Sequence, residues 1–147
     1  MGSERGSALL LVPAGVLIVA LLASIAIDST AAFLAQREAQ AAASSLANDL
    51  VSLGLDESSL RHHGSYRLSP SRLRRLGPWS LQTTQERLSA VFEPGSVSVA
   101  VSAVGPAAVR VSVQGSARRV IGLIGKVNGQ ASRSVAAEAI GRVRLSG

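Results

Sequence analysis

The sequence predicts an α+β protein in which one long N-terminal helix packs on a small antiparallel sheet. A run of twenty uncharged residues, 8–27, is followed by a stretch without Pro or Gly that reaches Leu53. After Ser96 the apolar residues recur at every second position, which is typical of strands with one buried face. Such a sheet needs a partner for its apolar face, and the second half of the helix carries a matching stripe.

The composition excludes several classes of protein. The 147 residues correspond to one domain, and the chain carries a net charge of +6 with no cysteine. Without cysteine there is no disulfide scaffold, no thiolate zinc or iron–sulfur site and no thiol catalysis. Hydrophobic residues make up 47% of the chain but aromatic residues only 3%, so the core consists of Val, Leu, Ile and Ala.

Residues 8–27 are predicted to be a transmembrane helix. Twenty helical residues span about 30 Å, the thickness of the hydrocarbon core of a bilayer. Pro13 lies inside this run and predicts a kink near one end. Arg5 precedes the run and Asp28 closes it, which favours a cytoplasmic N-terminus at 1–7 and an extracytoplasmic domain at 55–147.

A cleaved secretory signal is the alternative interpretation of the same run. Ser24 and Ala26 are small residues at the positions that a cut after Ala26 requires. The apolar run is longer than a typical signal core, and the residues before it are barely positive. The sequence therefore favours a retained span in the cell membrane.

Residues 28–54 are predicted to extend the same helix as an amphipathic segment. One face of it is apolar at steps of three and four residues: Ala35, Ala39, Ala42, Leu46, Leu50 and Leu53. Gly54 stands where a glycine in the left-handed conformation would end a helix. This stripe either packs on the protein's own sheet, which is the favoured interpretation, or packs against neighbouring copies.

The outer domain begins with a polar connector, 55–64, and a short strand predicted at 65–68. A short helix is predicted to begin with Ser69 as N-cap and Pro70 as its first residue, and to end at Gly77-Pro78. A second apolar segment covers 79–92. The hairpin follows, with valines 97, 99 and 101 opposite valines 109, 111 and 113, and a long strand runs from Val135 to Leu145. Residues 118–130 are left open as either a loop with an apolar tip or a short helix.

The N-terminal third resembles a known family. Glu4-Arg5-Gly6-Ser7, an apolar span with a proline, Ile25-Ala26-Ile27-Asp28-Ser29 and Phe33-Leu34-Ala35-Gln36-Arg37-Glu38 before an Ala-rich run are similar to the N-terminal region of TadE/TadG-like proteins of the actinobacterial type. These are minor pseudopilins of tight-adherence (Flp-type) pili. The resemblance covers about residues 4–49. It implies a pilin-like arrangement of helix and sheet, and the bilayer and other pilus or secretion-system subunits as partners.

The resemblance also implies a possible processing site. Where the family is processed, the prepilin peptidase would cut between Gly6 and Ser7. Major pilins carry a glutamate five residues into the mature chain, and Leu11 occupies that position here. This difference fits a minor, accessory or uncleaved subunit better than a major pilin.

No catalytic, cofactor or metal site is expected. His62 and His63 are the only histidines, and neighbouring side chains point in different directions, so they rarely bind one ion together. No nucleophile-elbow serine, phosphate loop or dinucleotide motif is present. We therefore expect a structural protein without a cofactor or small-molecule substrate. A single-span binding or scaffold module is the alternative, and a membrane-bound hydrolase is least favoured.

Five arginines form two basic clusters in the sequence: Arg72, Arg74 and Arg75, and further on Arg118 and Arg119. The simplest interpretation is a solvated surface. Contact with acidic patches of another subunit, or with anionic lipid headgroups or wall polymers, is the functional alternative. The low aromatic content argues against nucleic-acid binding.

Overall fold

A computed structural model of the chain describes residues 4–63, 66–119 and 133–143. The described residues form three helices and three strands: α1 (Glu4–Gly54), α2 (Glu57–His63), α3 (Pro70–Leu88), β1 (Ser98–Gly105), β2 (Ala108–Ser116) and β3 (Ser134–Arg142). A long N-terminal helix beside a three-stranded antiparallel sheet confirms the predicted α+β class.

Helix α1 is one unbroken element of 51 residues, which corresponds to a length of about 76 Å. Pro13 lies inside the helix without ending it. The helix ends at Gly54 as predicted, but without the left-handed conformation, since Gly95 is the only described residue with a positive φ, at 74°. Gly54 packs closely against Leu73, since a Cβ there would lie 2.9 Å from Cδ2 at the end of that side chain.

The sheet has the order β1-β2-β3, and both pairs are antiparallel. Val111 of the central strand pairs with Val101 on one side and with Ala139 on the other. The strands stop on either side of Pro106, as its missing N–H predicts. The third strand is shorter than predicted, because it ends at Arg142. Leu145 lies outside the described residues.

Helix α1 runs alongside β3 in the same direction. The Nε2 atoms of Gln36 and Gln40 donate hydrogen bonds to the carbonyl oxygens of Ala136 and Glu138. Four helical residues rise about 6 Å and two strand residues about 6.6 Å, so the helix and the strand advance together. The strands of the sheet therefore lie roughly along the axis of α1.

Helix α3 runs antiparallel to α1 and packs beside it. Leu73 lies against Gly54, Gly77 faces Leu50, and Arg87 forms an ion pair with Glu38. The predicted helix end at Gly77-Pro78 is wrong, since α3 continues through both residues. Gly77, Ser80 and Leu88 are buried, so packing against α1 outweighs the hydrogen bond that Pro78 removes.

The connector after α1 is more ordered than the sequence predicts. It contains α2, which begins directly after Asp56. The predicted strand at 65–68 is reduced to one bridge between Leu55 and Leu68, and Ser65 lies outside the described residues. Of the open segment 118–130, the structure describes only Arg118 and Arg119, outside any helix or strand.

The core lies between α1, α3 and the inner face of the sheet. Its largest fully buried side chains include Phe92, Leu46 and Leu88. Phe92 lies against Gly115, where a Cβ would come within 2.6 Å of its Cδ1 atom. The inner face of the sheet contributes alternate residues of β2 and β3: Val109, Val111, Val113, Val135 and Ala137.

Candidate functional site: the surface of the long helix and the basic clusters

The first half of α1 carries an apolar surface that the described head does not cover. From Leu11 to Ile27 every side chain is exposed except Ser24, including Val12, which is 69% exposed. The described part of the chain has one helix that is long and apolar enough to cross a membrane, and these residues belong to it. Gly6 and Ser7, the residues of the possible processing site, lie in the first turns of the same helix.

The second half of α1 carries the predicted stripe, and the structure buries most of it. Ala35, Ala39, Ala42, Leu46 and Leu50 are at most 2% exposed. Leu53 differs from the prediction because it is 36% exposed, at the edge of the covered surface. Three further residues are buried that the stripe did not include: Ala43, Ala47 and Val51. Their spacing of four residues was a visible signal for a wider apolar face.

Small residues allow the helix to touch the sheet backbone. The closest approach is between Ala47 and Gly141, where any Cβ on Gly141 would clash with the carbonyl oxygen of Ala47. The side chain of Val51 closes the same position from the next turn of the helix. The stripe therefore completes the protein's own core and is not held open for a neighbouring copy.

Two glutamines of α1 cover the free edge of β3. The N–H of Ala117 donates to the carbonyl of Arg133, which places the hydrogen-bonded pairs of β2 and β3 at odd-numbered residues. The carbonyls of Ala136 and Glu138 therefore point away from β2, and Gln36 and Gln40 donate to them at 2.9 and 3.3 Å. The predicted stripe did not include these glutamines, although both stand four residues apart beside it.

At the opposite edge of the sheet, no described element pairs with β1 on its outer side. Odd-numbered β1 residues lie in the non-hydrogen-bonded pairs with β2, so the backbone groups of Val99, Val101 and Ala103 point outward. No backbone group of the described residues outside the sheet bonds to this edge. Val101 is 41% exposed, because α1 covers β2 and β3 and leaves much of β1 uncovered.

The structure separates the two basic clusters. Arg72 lies at the far end of α1, where its Nη1 atom donates to the carbonyl of Leu55 at 2.7 Å. Arg118 and Arg119 line a cleft with Ala31 and Leu34, close to the apolar half of the helix. Along α1, the position of Arg72 and the position of the cleft are about 22 residues apart, which corresponds to roughly 33 Å. The five arginines are therefore not one surface.

The arginines at the far end differ among themselves. Arg72 supports the end of α1 and also lies near Asp56. Arg74 and Arg75 are exposed, and they make no ion pair with another described residue. They are solvated charges at the end of the head that is distant from the apolar half of α1.

Asp56 is the one described group with a clear shift in pKa. Its Oδ1 atom accepts hydrogen bonds from the hydroxyl of Ser58 at 2.6 Å and from the Ser58 N–H at 3.1 Å. These bonds, with the charge of Arg72, lower the pKa of Asp56 below its ordinary value of 3.8. The geometry is that of a residue that caps the first turn of α2.

The histidines and carboxylates do not gather into a site in the described part of the chain. His62 is exposed on α2, and no group of three potential metal ligands occurs among the described residues. Glu38 and Glu138 each pair with an arginine on the surface, Arg87 and Arg110 respectively.

Comparison with known protein families, with curated proteins and with solved structures finds no significant match. The likeness to TadE/TadG-like proteins depends on residues 4–49 alone.

Proposed function

We propose that this protein is a membrane-anchored structural subunit, similar to a minor pseudopilin of a Tad/Flp-type pilus or a related secretion assembly. The observation that supports this most directly is the division of α1. One continuous helix exposes apolar side chains from Leu11 to Ile27 and is then covered by its own head from Ala35 to Val51. A helix of this kind anchors the head and holds it at a fixed distance from the bilayer.

The proposed topology is a single span with residues 1–7 in the cytoplasm and the head outside. Arg5 on the short side of the span supports this orientation. The helix continues without a break beyond Ile27, whereas a signal-peptide cut after Ala26 would separate the head from its anchor.

Contacts between subunits would use the surface that the head leaves free. The stripe is already buried, so the available lateral surface is the apolar half of α1 and the exposed side chains Phe33 and Leu34 just beyond it. Apolar helices associate in membranes through close van der Waals packing. The mechanism is mechanical and needs no cofactor.

Disulfide cross-linking tests this proposal, and the natural chain contains no cysteine that would interfere. Single cysteines are placed at each position from Leu11 to Leu22 in the host membrane, with Ala41 as a control on the exposed side of the covered half. We expect cross-linking between subunits, or to another assembly component, with a period near 3.6 residues. Uniform absence of cross-links would contradict an assembly role and leave only an anchor.

The open edge of β1 favours a second function, a single-span extracytoplasmic binding or scaffold module. Strand addition at a free sheet edge is a common way to bind extended segments. The same experiment separates the two functions, since a solitary module gives no periodic cross-links. Purification with an intact β1 edge and with Val101→Pro would then show whether a bound protein depends on that edge.

A further inference from the structure

The end of the head nearest the apolar half of α1 has its own charge and shape. Arg118 and Arg119 stand over a cleft of about 390 Å³ whose other lining residues are Ala31, Leu34, Ala90 and Val91. The arginines thus lie beside four small or apolar side chains. Arg118 is exposed and Arg119 is half-buried.

The backbone fixes this arrangement. The N–H of Arg118 donates to the carbonyl of Val91 at 3.0 Å, so the chain leaving β2 is tied to the segment that follows α3. The neighbouring Ala117 bonds across the ladder to Arg133, which brings a third arginine to the same end of the sheet. Two acidic residues, Asp28 and Glu93, also belong to this end, so the positive charge of the cleft is local to its two lining arginines.

If residues 8–27 cross the bilayer, the cleft begins at the outer edge of the lipid headgroup layer. Ala31 and Leu34 follow Ile27 by four and seven residues, or about 6 and 10 Å along the helix. The headgroup layer extends roughly 5–7 Å beyond the hydrocarbon core. Phe33 and Leu34 are 67% and 50% exposed at this level, which suits the boundary between lipid and water.

We propose that this cleft binds the headgroup of an anionic phospholipid from the leaflet into which Asp28 emerges. The arginines pair with the phosphate at the outer edge of the headgroup layer, beside the apolar wall of the cleft. Arg72, Arg74 and Arg75 take no part, because they stand roughly 33 Å further along α1. The proposal rests on the membrane anchoring proposed above and adds a lipid preference to it.

The test measures lipid retention by the full-length protein in neutral detergent, using native mass spectrometry. Phosphatidylglycerol and phosphatidylcholine with identical acyl chains are titrated separately. We expect the parent to retain phosphatidylglycerol in preference to phosphatidylcholine. Arg118→Gln lowers its apparent affinity for phosphatidylglycerol about fivefold, and Arg118→Gln with Arg119→Gln lowers it by more than about tenfold.

Matched variants make the result specific. Arg74→Gln with Arg75→Gln removes the same charge at the far end and should retain phosphatidylglycerol like the parent, as should Arg118→Lys. Far-UV circular dichroism checks that each variant is folded, and the exposed position of Arg118 keeps the single variant informative if the double variant unfolds.

Three outcomes would overturn the proposal. The first is equal retention of the two lipids by the parent. The second is a loss of phosphatidylglycerol affinity in the Arg74/Arg75 variant as large as that in the Arg118/Arg119 variant. The third is displacement of the lipid by millimolar inorganic phosphate, which would indicate a site for free anions. Flotation with vesicles of pure phosphatidylcholine keeps the two proposals apart. If the parent floats with these vesicles but shows no preference for phosphatidylglycerol in the mass spectra, only the lipid site is refuted. If the parent does not float, the membrane anchoring is refuted.

Discussion

From Leu11 to Ile27 helix α1 exposes nearly every apolar side chain, whereas from Ala35 to Val51 one side of the same helix is buried under β2, β3 and α3. The first half uses large residues on all sides. The second half places alanines toward the sheet and polar residues elsewhere. The difference fits the proposed anchoring, because a bilayer needs apolar surface all round, while a sheet needs a narrow surface that lets backbones approach.

The largest expected effect comes from placing a charge inside the covered stripe. Ala42→Glu puts a carboxylate at a position that is 2% exposed, with no partner in the described core, so we expect a loss of at least about 3 kcal/mol in unfolding free energy. Thermal and chemical unfolding of the full chain in detergent measures this change.

Ala41→Glu is the matched control, because Ala41 is exposed on the neighbouring position of the same turn. Its stability should remain within about 0.5 kcal/mol of the parent. Ser44, which the helical spacing alone places on the far side, is half-buried and therefore a poorer control. Equal melting of the Ala41 and Ala42 variants would mean that the stripe does not pack on the sheet.

The contact between α1 and the sheet backbone gives the next largest effect. Gly141→Ala inserts a methyl group against the carbonyl of Ala47, and since that carbonyl belongs to the helix backbone, the helix must shift to relieve the clash. We expect a loss of about 1–3 kcal/mol in the same unfolding measurement.

Gly105→Ala is the control, because a methyl group added at Gly105 has no other atom within 4 Å. This variant should be nearly as stable as the parent. An unchanged Gly141→Ala variant would refute this close approach.

How far the sequence predicts this structure depends on which physical signal each region carries. The period of two predicts the inward valines of β2 and the run of β3, since register follows side-chain alternation. The Gly77-Pro78 pair predicts a helix end that the structure does not have. Burial of Ser80 and Leu88 outweighs the local preference of this pair against helix. No local signal places Arg118 near Ala31, because only the fold brings residues so distant in sequence together.

The hydrogen bonds at the edge of β3 should contribute less to the free energy of unfolding than the packing of α1 on the sheet. Gln36→Ala and Gln40→Ala each leave a strand carbonyl without its side-chain donor, and we expect about 0.5–1.5 kcal/mol per site. Gln85→Ala, an exposed glutamine on α3, serves as the control. Hydrogen exchange of β3 amides provides a second measurement, because outward-facing N–H groups become more accessible when α1 moves away. If both variants match the Gln85 variant, the glutamines do not stabilise the edge.

The smallest effect concerns pH and the far end of the head. Because the pKa of Asp56 is lowered in the folded state, its stabilisation of α2 is complete above the ordinary carboxyl range and is lost as pH falls through the lower folded-state pKa. The protection of α2 amides against exchange, relative to the unfolded chain at the same pH, should therefore fall in acid. Asp56→Asn keeps a capping side chain but should remove this pH dependence, while Asp49→Asn should preserve it.

Accessibility of single cysteines along α1 shows whether one helix passes from the bilayer into the core of its own head. The full chain is reconstituted in vesicles, each position from Leu11 to Val51 is replaced in turn by cysteine, and labelling by a polar maleimide is measured with the vesicles opened to the reagent. We expect protection on every side of the helix up to Ile27. Beyond it, protection should repeat every three to four residues, with Ala39 and Ala43 protected and Ala41 and Ser45 labelled. One-sided protection throughout, or free labelling between Leu11 and Ile27, would contradict a helix that passes from the bilayer into its own core.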